Sequence, residues 1–510
     1  MKTIPEILSE NALRWPDVPA LIATRGNREE MLSFSGIEKA AANFASQLCS
    51  KGIRRGDPVL VFVPMSIELY VALLGLFRVG ATAVFLDPSS GMRHINACCA
   101  KLPPAALISI WPLRWLKPLI QGLRKIPRVF VPPKPSQEHV GSLPGGPSPE
   151  DAALITFTSG STGAPKAAVR THSFLIAQHQ ALHNAIQLEP GERDLTTLPV
   201  FVLANLASGV TSILPDAKIS RPGSVDAGRL ARQVRRIQPT RTGGSPAFYQ
   251  QLATEPGSLS NFQKIFTGGA PVFPALLQTL QTLAPSSRVY AVYGSTEAEP
   301  IAHVACDEIA PDDWLAMRSG KGLLAGVPVA EISLRVVPDQ WGQSLKVSEP
   351  VAPGESGEII VTGDHVLKGY LNGEGNNETK VILSNTIWHR TGDAGYLDSS
   401  GRLWLLGRCA ARVHDQHGTL YPFAVECVAM SFPSIRRAAF VSTSGQRVLA
   451  LEGNRIITNA EFDEIKRAVT WAQIEMVCIL PHIPVDSRHN AKINYPALEQ
   501  IMRSKGPKFK

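Results

Sequence analysis

A loop rich in glycine and hydroxyl residues is the strongest chemical signal in the chain. It covers residues 158–166, with the sequence Thr-Ser-Gly-Ser-Thr-Gly-Ala-Pro-Lys, and follows an apolar run, Ala152–Phe157, that predicts a strand. Small residues let the backbone turn tightly, so that N–H groups and hydroxyls converge on phosphate oxygens, and Lys166 adds positive charge. The spacing is not that of a Walker A loop, because Ala167 follows the lysine where Mg²⁺ would need a hydroxyl. The segment therefore predicts a phosphate-binding loop of another kind.

Short motifs with glycine or ionisable side chains follow this loop along the chain. They are Gly268-Gly269-Ala270-Pro271, Tyr293-Gly294-Ser295-Thr296-Glu297, Arg390-Thr391-Gly392-Asp393, Gly407-Arg408 and Ala491-Lys492-Ile493. Each motif alone carries little weight, since Asp393 can simply cap a turn and Glu297 can form a surface ion pair. Their order along one chain is the informative feature.

With Leu32-Ser33-Phe34 near the start and Gly357-Glu358 opening a strand, these motifs resemble the signatures of the adenylate-forming superfamily. That superfamily comprises acyl-CoA synthetases, luciferases and the adenylation domains of peptide synthetases, and the resemblance covers almost the whole chain. It implies an AMP-forming ligase that uses ATP and Mg²⁺ to activate a carboxylic acid as its acyl-adenylate, releasing pyrophosphate. It also implies an α/β fold: a large N-terminal domain, residues 1–407, of mixed and parallel sheets flanked by helices, and a small mobile α+β domain, residues 408–510.

The resemblance assigns roles to individual residues. Attack of a carboxylate on the α-phosphorus brings two anions together, so catalysis depends mostly on electrostatic stabilisation. Glu297 would hold the Mg²⁺ that bridges the phosphates, Thr296 would bond the α-phosphate, and Lys492 would neutralise the carboxylate and bridging oxygen. The residues implied to bind ATP and AMP are Thr158, Ser159, Gly160, Ser161, Thr162, Gly163, Lys166, Gly268, Gly269, Ala270, Pro271, Tyr293 on the adenine face, Gly294, Ser295, Thr296, Asp393 on the ribose hydroxyls and Arg408 on ribose or phosphate.

Three positions depart from the pattern of the superfamily's CoA ligases. Val202 stands where many of them place a histidine, Ala410 replaces the hinge acid, and His417 replaces the first glycine of a turn that accepts pantetheine. The hinge and the turn serve rotation of the small domain into its thioester-forming state. The departures therefore leave adenylation intact and leave the use of CoA open.

One branch of the superfamily, the olefin-biosynthesis β-lactone synthetases, resembles the chain more closely. The similarity lies in residues 388–398, 417–421 and 484–493. In that branch the substrate is a β-hydroxy acid whose own hydroxyl displaces AMP, so that proximity replaces a second substrate. The resemblance implies activation of a fatty or β-hydroxy fatty acid, followed by closure to a β-lactone.

Two other functions remain as alternatives. The first is a fatty acyl-CoA ligase, or an acyl-AMP ligase that loads a carrier protein; AMP release that depends on CoA would indicate it. The second is a non-catalytic nucleotide- or acyl-binding protein that kept the fold. Retention of the motif residues Lys166, Glu297, Asp393, Arg408 and Lys492 argues against the second.

An acyl pocket is expected beside the segment after the Leu-Pro pair at residues 198–199. Phe201, Val202 and Asn205, together with Gly243 and Gly244, are mostly apolar or small, which suits a hydrophobic acyl chain. An ordinary helix core explains the apolar residues of this segment about as well.

The elements that must position these motifs alternate as in an α/β protein. Pro58–Val63 and Ala81–Leu86 are β-type apolar runs on either side of a helical pattern, Ser66–Val79. Strand, helix and strand in succession predict a parallel sheet covered by helices. The rhythm returns near Ala152 and continues to Val304. Later short strands are predicted at residues 358–362, 395–397 and 402–406.

The composition narrows the possible partners. The chain has 510 residues, 44% hydrophobic and 18% charged, as in a folded protein too long for one compact core. A net charge of +8 suits an anionic ligand, and no basic block interleaved with aromatics indicates nucleic acid. Seven scattered cysteines without a C-x-x-C pair favour free thiols in a reducing cytoplasm over disulfides or zinc.

Two segments bear on contact with a membrane. Leu69–Leu86 is interrupted by Arg78 and two glycines, which predicts a buried helix and strand. Residues 111–125 mix tryptophan and leucine with basic residues and could touch a membrane, but a surface helix packed on its own domain is favoured.

The N-terminus lacks the apolar core of a signal peptide. We therefore expect a cytoplasmic enzyme that acts on a small carboxylic acid and supplies a pathway enzyme that consumes its reactive product.

Overall fold

A computed structural model describes residues 2–26, 28–86, 91–110, 117–134, 145–159, 165–219, 221–346, 349–486 and 491–505. For residues 158, 159, 504 and 505 the description is limited to the backbone. Within these residues the helices are Ile4–Arg14, Phe34–Ser50, Ile67–Val79, Gly91–Lys101, Gln121–Arg124, His172–Ile186, Pro199–Ser208, Ala227–Ile237, Pro246–Leu252, Pro274–Leu283, Pro311–Arg318, Asn376–Thr379, Pro422–Ala429, Asn459–Ala468 and Tyr495–Lys505.

One sheet gathers the strands of the first third of the chain. In spatial order its described strands are Arg128–Phe130, Ala106–Ser109, Pro58–Phe62, Thr82–Phe85, Ala152–Ser159 and Pro165–Thr171. Neighbours run parallel except the last pair, which is antiparallel. The predicted parallel sheet is confirmed. The apolar helix Ile67–Val79 connects two of its strands and ends at Gly80, whose φ of 76° favours glycine.

A second, larger sheet is mixed. In spatial order its described strands are Ile332–Val337, Gly357–Gly363, Thr386–Leu397, Leu403–Arg408, Leu323–Pro328, Ala298–Ala305, Arg288–Ser295, Lys264–Gly268, Arg241–Gly244, Arg193–Thr196, Thr211–Leu214, Pro19–Arg25 and Arg28–Ser33, with Lys380–Leu383 paired on Thr386–Leu397. The run from Arg288–Ser295 to Pro19–Arg25 is parallel. The remaining pairs are antiparallel.

Beyond Arg408 the chain builds smaller sheets. They are the three-stranded sheet Ile435–Thr443, Gln446–Gly453 and Met476–Ile479, and the hairpin of Val413–Asp415 and Gly418–Leu420. A separate apolar cluster that includes Val425, Phe440 and Ile465 packs helices onto these strands. The predicted fold class, an α/β body of mixed and parallel sheets with a smaller α+β part, is confirmed.

One strand of the larger sheet, Thr386–Leu397, differs from the sequence-based expectation. Residues 395–397 are the end of a strand of 12 residues, Thr386–Leu397. The sequence conceals the rest of it, because Arg390 occupies a buried position and Gly392 turns the backbone at a φ of 70°. Arg390 is tolerated there by its ion pair with Glu358, whose Oε2 lies 2.6 Å from Nη2. A charged side chain paired in the core does not show in a hydrophobic pattern.

The remaining expectations concern the cysteines, predicted to be free thiols, and the segments that bear on contact with a membrane. All seven cysteines lie in described segments, and each is a free thiol. Among the described residues no helix is long and apolar enough to cross a membrane. The tryptophan-containing part of the basic segment, residues 111–116, lies outside the described residues.

Candidate active site

The centre of the candidate site is formed where strands of the larger sheet end. Tyr293 lies near the end of Arg288–Ser295, and its hydroxyl donates to Oδ2 of Asp393 over 2.8 Å. Asp393 is the cross-strand partner of Arg408, whose Nε lies 3.2 Å from Oδ1. Burial, with Asp393 alongside, raises the pKa of Tyr293 well above its ordinary value. The tyrosine is therefore a neutral donor that fixes the carboxylate of Asp393.

The glycine-rich turn after strand Lys264–Gly268 lies beside this pair. Gly268 is opposite Val292 in the parallel register. A Cβ at Gly268 would lie 2.6 Å from the carbonyl oxygen of Val292, so the close approach requires glycine. Gly269 then turns the chain at a φ of 78°. The two glycines direct Ala270 and Pro271 towards the space in front of Tyr293.

One cavity of about 290 Å³ joins residues from distant motifs. The sequence-predicted residues along its walls are Gly269, Ala270, Pro271, Tyr293, Gly294, Asp393, Arg408 and Lys492. Apolar side chains such as Leu323, Phe273 and Phe423 supply much of the remaining wall. A cavity that is largely apolar with a few ionisable groups is typical of a nucleotide-sized ligand site.

Lys492 reaches this cavity from a short turn of the C-terminal part. Val485 and Ile493 form an antiparallel bridge at the base of the turn. Oδ1 of Asp486 accepts from the backbone N–H of Lys492 over 2.9 Å, and the N–H of Asp486 donates to the carbonyl of Lys492 over 2.8 Å. The backbone of the lysine is therefore fixed where the C-terminal part meets the strand ends of the larger sheet.

Glu297 lies in a second group of ionisable side chains. The hydroxyl of Tyr370 donates to Oε1 of Glu297 over 2.8 Å, and Leu367 donates its N–H to the carbonyl of Glu297 over 2.7 Å. Burial alone would raise the pKa of Glu297. His389, the Tyr370 hydroxyl, and the nearby Lys380 and Arg170 outweigh it and lower that pKa below its ordinary value. Glu297 is thus an ionised, oriented carboxylate, which is the kind of ligand that Mg²⁺ takes.

Thr296 and Ser295 complete the motif around this carboxylate. Nη2 of Arg170 donates to the carbonyl of Thr296 over 2.7 Å, and the backbone N–H of Glu297 donates to Oγ of Ser295 over 3.3 Å. Arg170 itself is buried on the strand that follows the phosphate-binding loop. The bond from Arg170 attaches the strand after the loop to the motif that carries Thr296 and Glu297.

The segment 366–380 ties Glu297 to the lysine of the phosphate-binding loop. It places Tyr370 on Glu297, and it places Glu378 on Lys166, with Nζ 2.6 Å from Oε2. Lys166 pairs with Thr158 across the hairpin strands at the base of the loop. Gly160, Ser161, Thr162 and Gly163 lie outside the described residues, and of Thr158 and Ser159 only the backbone is described. The segment 366–380 therefore contacts both Glu297 and the described base of the loop.

Comparison with known proteins identifies the class of this site. The family model described as AMP-binding enzyme matches residues 8–371. The chain belongs to the AMP-binding enzyme family. It is similar to the olefin β-lactone synthetase of Xanthomonas campestris pv. campestris, at 32% identity over 505 residues, covering 91% of this chain and 89% of the relative. It is equally similar to the olefin β-lactone synthetase of Stenotrophomonas maltophilia, at 32% identity over 502 residues and the same coverage.

A solved structure gives the same fold. The O-succinylbenzoate coenzyme A synthetase of Bacillus subtilis, in complex with ATP and magnesium ion, aligns with a TM-score of 0.78 at 20% identity. The alignment covers 98% of this chain and 99% of that one. The predicted family, fold class and enzyme class are confirmed: this AMP-binding enzyme is an adenylate-forming ligase.

The residues predicted to form an acyl pocket lie elsewhere in this AMP-binding enzyme. Phe201 packs its ring against Gly243, where an added Cβ would lie 3.0 Å from Cδ2. The side-chain amide of Asn205 donates to Asp194 over 2.9 Å and to Ser212 over 3.0 Å, within the protein interior. The other two residues are equally buried: Val202 belongs to the main apolar core and a Cβ at Gly244 would meet Phe248 at 2.7 Å. None of the five borders the cavity described above, and their assignment to an acyl pocket stays a prediction.

Sequence reasoning missed several residues that hold the site together. Tyr370 and Glu378 contact Glu297 and Lys166, and Glu426 and Tyr495 border the cavity with Lys492. Tyr370 follows the strand Gly357–Gly363 in a segment with little regular structure, so no apolar period in the sequence indicates its contact. For Glu426 the signal was a single acidic residue in an otherwise apolar helix sequence, Pro422–Ala429.

Proposed function

We propose that this enzyme activates a β-hydroxy fatty acid with ATP and Mg²⁺ and that the resulting acyl-adenylate closes to a β-lactone. The observation that carries the adenylation step is that Lys492 lies in one cavity with Tyr293, Asp393 and Arg408. This places a cation of the C-terminal part beside the residues expected to hold the nucleoside. The ATP- and magnesium-bound relative of the same fold supports these two as the cofactors.

In the first step a carboxylate oxygen of the substrate attacks the α-phosphorus, and pyrophosphate leaves. Lys492 offsets the negative charge that collects between the two anions, and Thr296 bonds the α-phosphate. Asp393, held by Tyr293 and Arg408, accepts hydrogen bonds from the ribose hydroxyls. Mg²⁺ bound by Glu297 would supply charge neutralisation between the phosphate groups.

In the second step the β-hydroxyl oxygen attacks the carbonyl carbon of the adenylate. The hydroxyl proton passes to solvent water, the bond from the carbonyl carbon to the bridging oxygen breaks, and AMP departs with the electron pair. The nucleophile belongs to the same molecule, so no second substrate must enter. The two β-lactone synthetase relatives support this step, as do the departures at Val202, Ala410 and His417.

Contacts after Arg408 also favour closure over transfer to CoA. Tyr421 donates its hydroxyl to Oδ2 of Asp339 over 2.9 Å, and Nη1 of Arg412 lies 3.4 Å from the same carboxylate. Asp339 precedes the proposed boundary at residues 407–408, and its two partners follow it. The bonds oppose rotation of the proposed C-terminal domain, residues 408–510, against residues 1–407. A reaction that completes both steps in one arrangement does not need that rotation.

The experiment compares two straight-chain acids of equal length, one with a β-hydroxyl and one without. Pyrophosphate and AMP release are measured with Mg·ATP, with and without CoA, and products are analysed by mass. We expect the hydroxy acid to release both without CoA and to give a product lighter by one water. The acid without a hydroxyl should retain its adenylate. AMP release that requires CoA and gives a thioester would contradict the proposal and favour the CoA-ligase alternative.

The proposed reaction also indicates what kind of step consumes its product and in which compartment it takes place. A β-lactone is a strained ring, so the enzyme would supply a step that opens the ring or removes carbon dioxide from it. We place that reaction in the cytoplasm, in keeping with the seven free thiols.

A further inference from the structure

A buried carboxylate on the C-terminal side of the cavity takes no part in the steps above. Glu426 lies on helix Pro422–Ala429, is 1% exposed, and borders the same cavity as Lys492. Its Oε1 accepts from the hydroxyl of Tyr495 over 2.9 Å and from the backbone N–H of Phe440 over 3.0 Å. One carboxyl group thus joins three elements: its own helix, a strand of the small sheet and the start of helix Tyr495–Lys505.

Tyr495 connects this carboxyl group to the turn of Lys492. The tyrosine follows the lysine by three positions, and the intervening Asn494 donates its N–H to the carbonyl of Pro484 over 2.9 Å. Asp486 fixes the internal shape of the turn. The bond from Tyr495 to Glu426 fixes the turn against helix Pro422–Ala429.

Helix Pro422–Ala429 in turn rests on the body that carries the nucleotide residues. The ring of Phe423 meets that of Phe273 edge-on, with centroids 6.1 Å apart. Pro422 lies close to Gly407, where an added Cβ would be 3.1 Å from its Cδ. A path of direct contacts therefore runs from Phe273 through the helix, Glu426 and Tyr495 to the turn of Lys492.

The protonation state of Glu426 suits a carboxyl group that holds Tyr495 beside a phosphate-binding cavity. Burial raises the pKa of Glu426 to about 8, against an ordinary value of 4.5. Near neutral pH the group is mainly protonated, so it holds Tyr495 without adding a negative charge to a cavity that receives phosphate groups.

We propose that Tyr495 and Glu426 are positioning residues for adenylation. Their hydrogen bond holds the Lys492 turn at the cavity, so that its loss slows the pyrophosphate-forming step without weakening the binding of ATP. This inference rests on the role proposed above for Lys492.

The test is substrate-dependent exchange between ATP and pyrophosphate, measured with the straight-chain acid that the unaltered enzyme uses fastest. Tyr495→Phe should lower kcat by roughly tenfold to a hundredfold, the scale expected when a catalytic group is slightly misplaced. Its KM for ATP should stay within about twofold. The matched control is Tyr249→Phe, which removes a buried hydroxyl bonded to Thr242 and to the carbonyl of Phe266, none of which borders the cavity. That control should keep the kcat of the unaltered enzyme.

Two further comparisons separate positioning from a general loss of structure. In a Lys492→Ala background, Tyr495→Phe should cause no further loss, because residues that act through one group are not additive. Glu426→Gln, which keeps an acceptor for Tyr495, should retain most activity where Glu426→Ala loses it.

The possible results distinguish the role of Lys492 from the positioning role of Tyr495 and Glu426. Full exchange activity in Lys492→Ala would overturn the role of Lys492 and this inference with it. A slow Lys492→Ala combined with an unaffected Tyr495→Phe would overturn the positioning role alone. A loss in Tyr495→Phe that persists undiminished in the Lys492→Ala background would also contradict it.

Discussion

Tyr293 and Asp393 come from strands that are not neighbours in the sheet, yet the tyrosine hydroxyl lies 2.8 Å from Oδ2 of the aspartate. The motif that carries Tyr293 and the motif that carries Asp393 are thereby joined by one hydrogen bond. Arg408 approaches the other oxygen of the same carboxylate. Asp393, which we propose binds the ribose, is thus held in position by Tyr293 and Arg408, which belong to two other motifs.

Removing the tyrosine hydroxyl should loosen that carboxylate. We expect Tyr293→Phe to raise the KM for ATP several-fold, by about 1 kcal/mol of binding, with a smaller change in kcat. The control is Tyr396→Phe, whose hydroxyl donates to the carbonyl of Lys321; neither residue borders the cavity. Steady-state pyrophosphate release at varied ATP measures both variants. An unchanged KM in Tyr293→Phe would show that Asp393 does not depend on this bond.

The metal dependence of the reaction tests Glu297. Glu297→Gln removes the charge that Mg²⁺ requires, so the Mg²⁺ concentration for half-maximal activity should rise by an order of magnitude or more. Tyr370→Phe, which leaves the carboxylate but removes its hydroxyl donor, should give a smaller rise in the same direction. Glu374→Gln changes an acid of the same segment that pairs with Lys101 and should have no such effect. Equal Mg²⁺ requirements in all three variants would refute the assignment of Glu297.

Stability should depend on one buried arginine more than on exposed ion pairs. The side chain of Arg241 is fully buried, pairs with Glu192 over 2.5 Å and bonds the carbonyls of Ile186 and Gln187. Arg241→Met should lower the free energy of unfolding by about 3–5 kcal/mol, because it leaves buried polar partners unsatisfied. Urea denaturation measures the loss.

The matched control for Arg241 is a partly exposed arginine. Arg288 pairs with Asp307 and Glu308 at the surface, so Arg288→Met should cost less than about 1 kcal/mol. Equal losses in the two variants would contradict the importance given to burial.

The raised pKa of Glu426 predicts a pH dependence of stability. The folded state keeps a proton on this group up to about pH 8, whereas the unfolded chain releases it near 4.5. Its contribution to stability is therefore fully present below the lower value and is lost as the pH rises towards the upper one. Glu426→Gln cannot titrate, so its urea midpoint should fall less steeply over this interval. Parallel slopes for the variant and the unaltered enzyme would show that Glu426 is ionised in the folded state.

The order of the motifs along the chain is enough to predict much of the site. Glycine-rich turns and strand ends mark where backbone meets ligand, and Asp393, Arg408 and Lys492 do meet at one cavity. The parallel sheet was equally accessible, because the strand Pro58–Phe62 and helix Ile67–Val79 have clear apolar periods.

Other contacts could not be predicted, for a physical reason. Tyr370 contacts Glu297 from a segment with little regular structure, so no hydrophobic periodicity in the sequence predicts this contact. Arg390 and Arg241 are buried charges that count as polar in any pattern, although each lies in the interior with its partner. Asn205 suited an acyl pocket by its position in the sequence, and only tertiary contacts show that Asp194 and Ser212 engage its side chain.

The fate of the oxygen atoms tests the central claim most directly. A β-hydroxy acid labelled with heavy oxygen at both carboxylate positions is incubated with the enzyme and Mg·ATP, without CoA, in ordinary water. If the β-hydroxyl displaces AMP, then AMP carries one heavy oxygen, and the product carries one in its carbonyl and none in its ring. Labelled AMP together with recovered acid that contains a solvent oxygen, with no lactone present at any time of the reaction, would show hydrolysis of the adenylate and would contradict closure to a β-lactone.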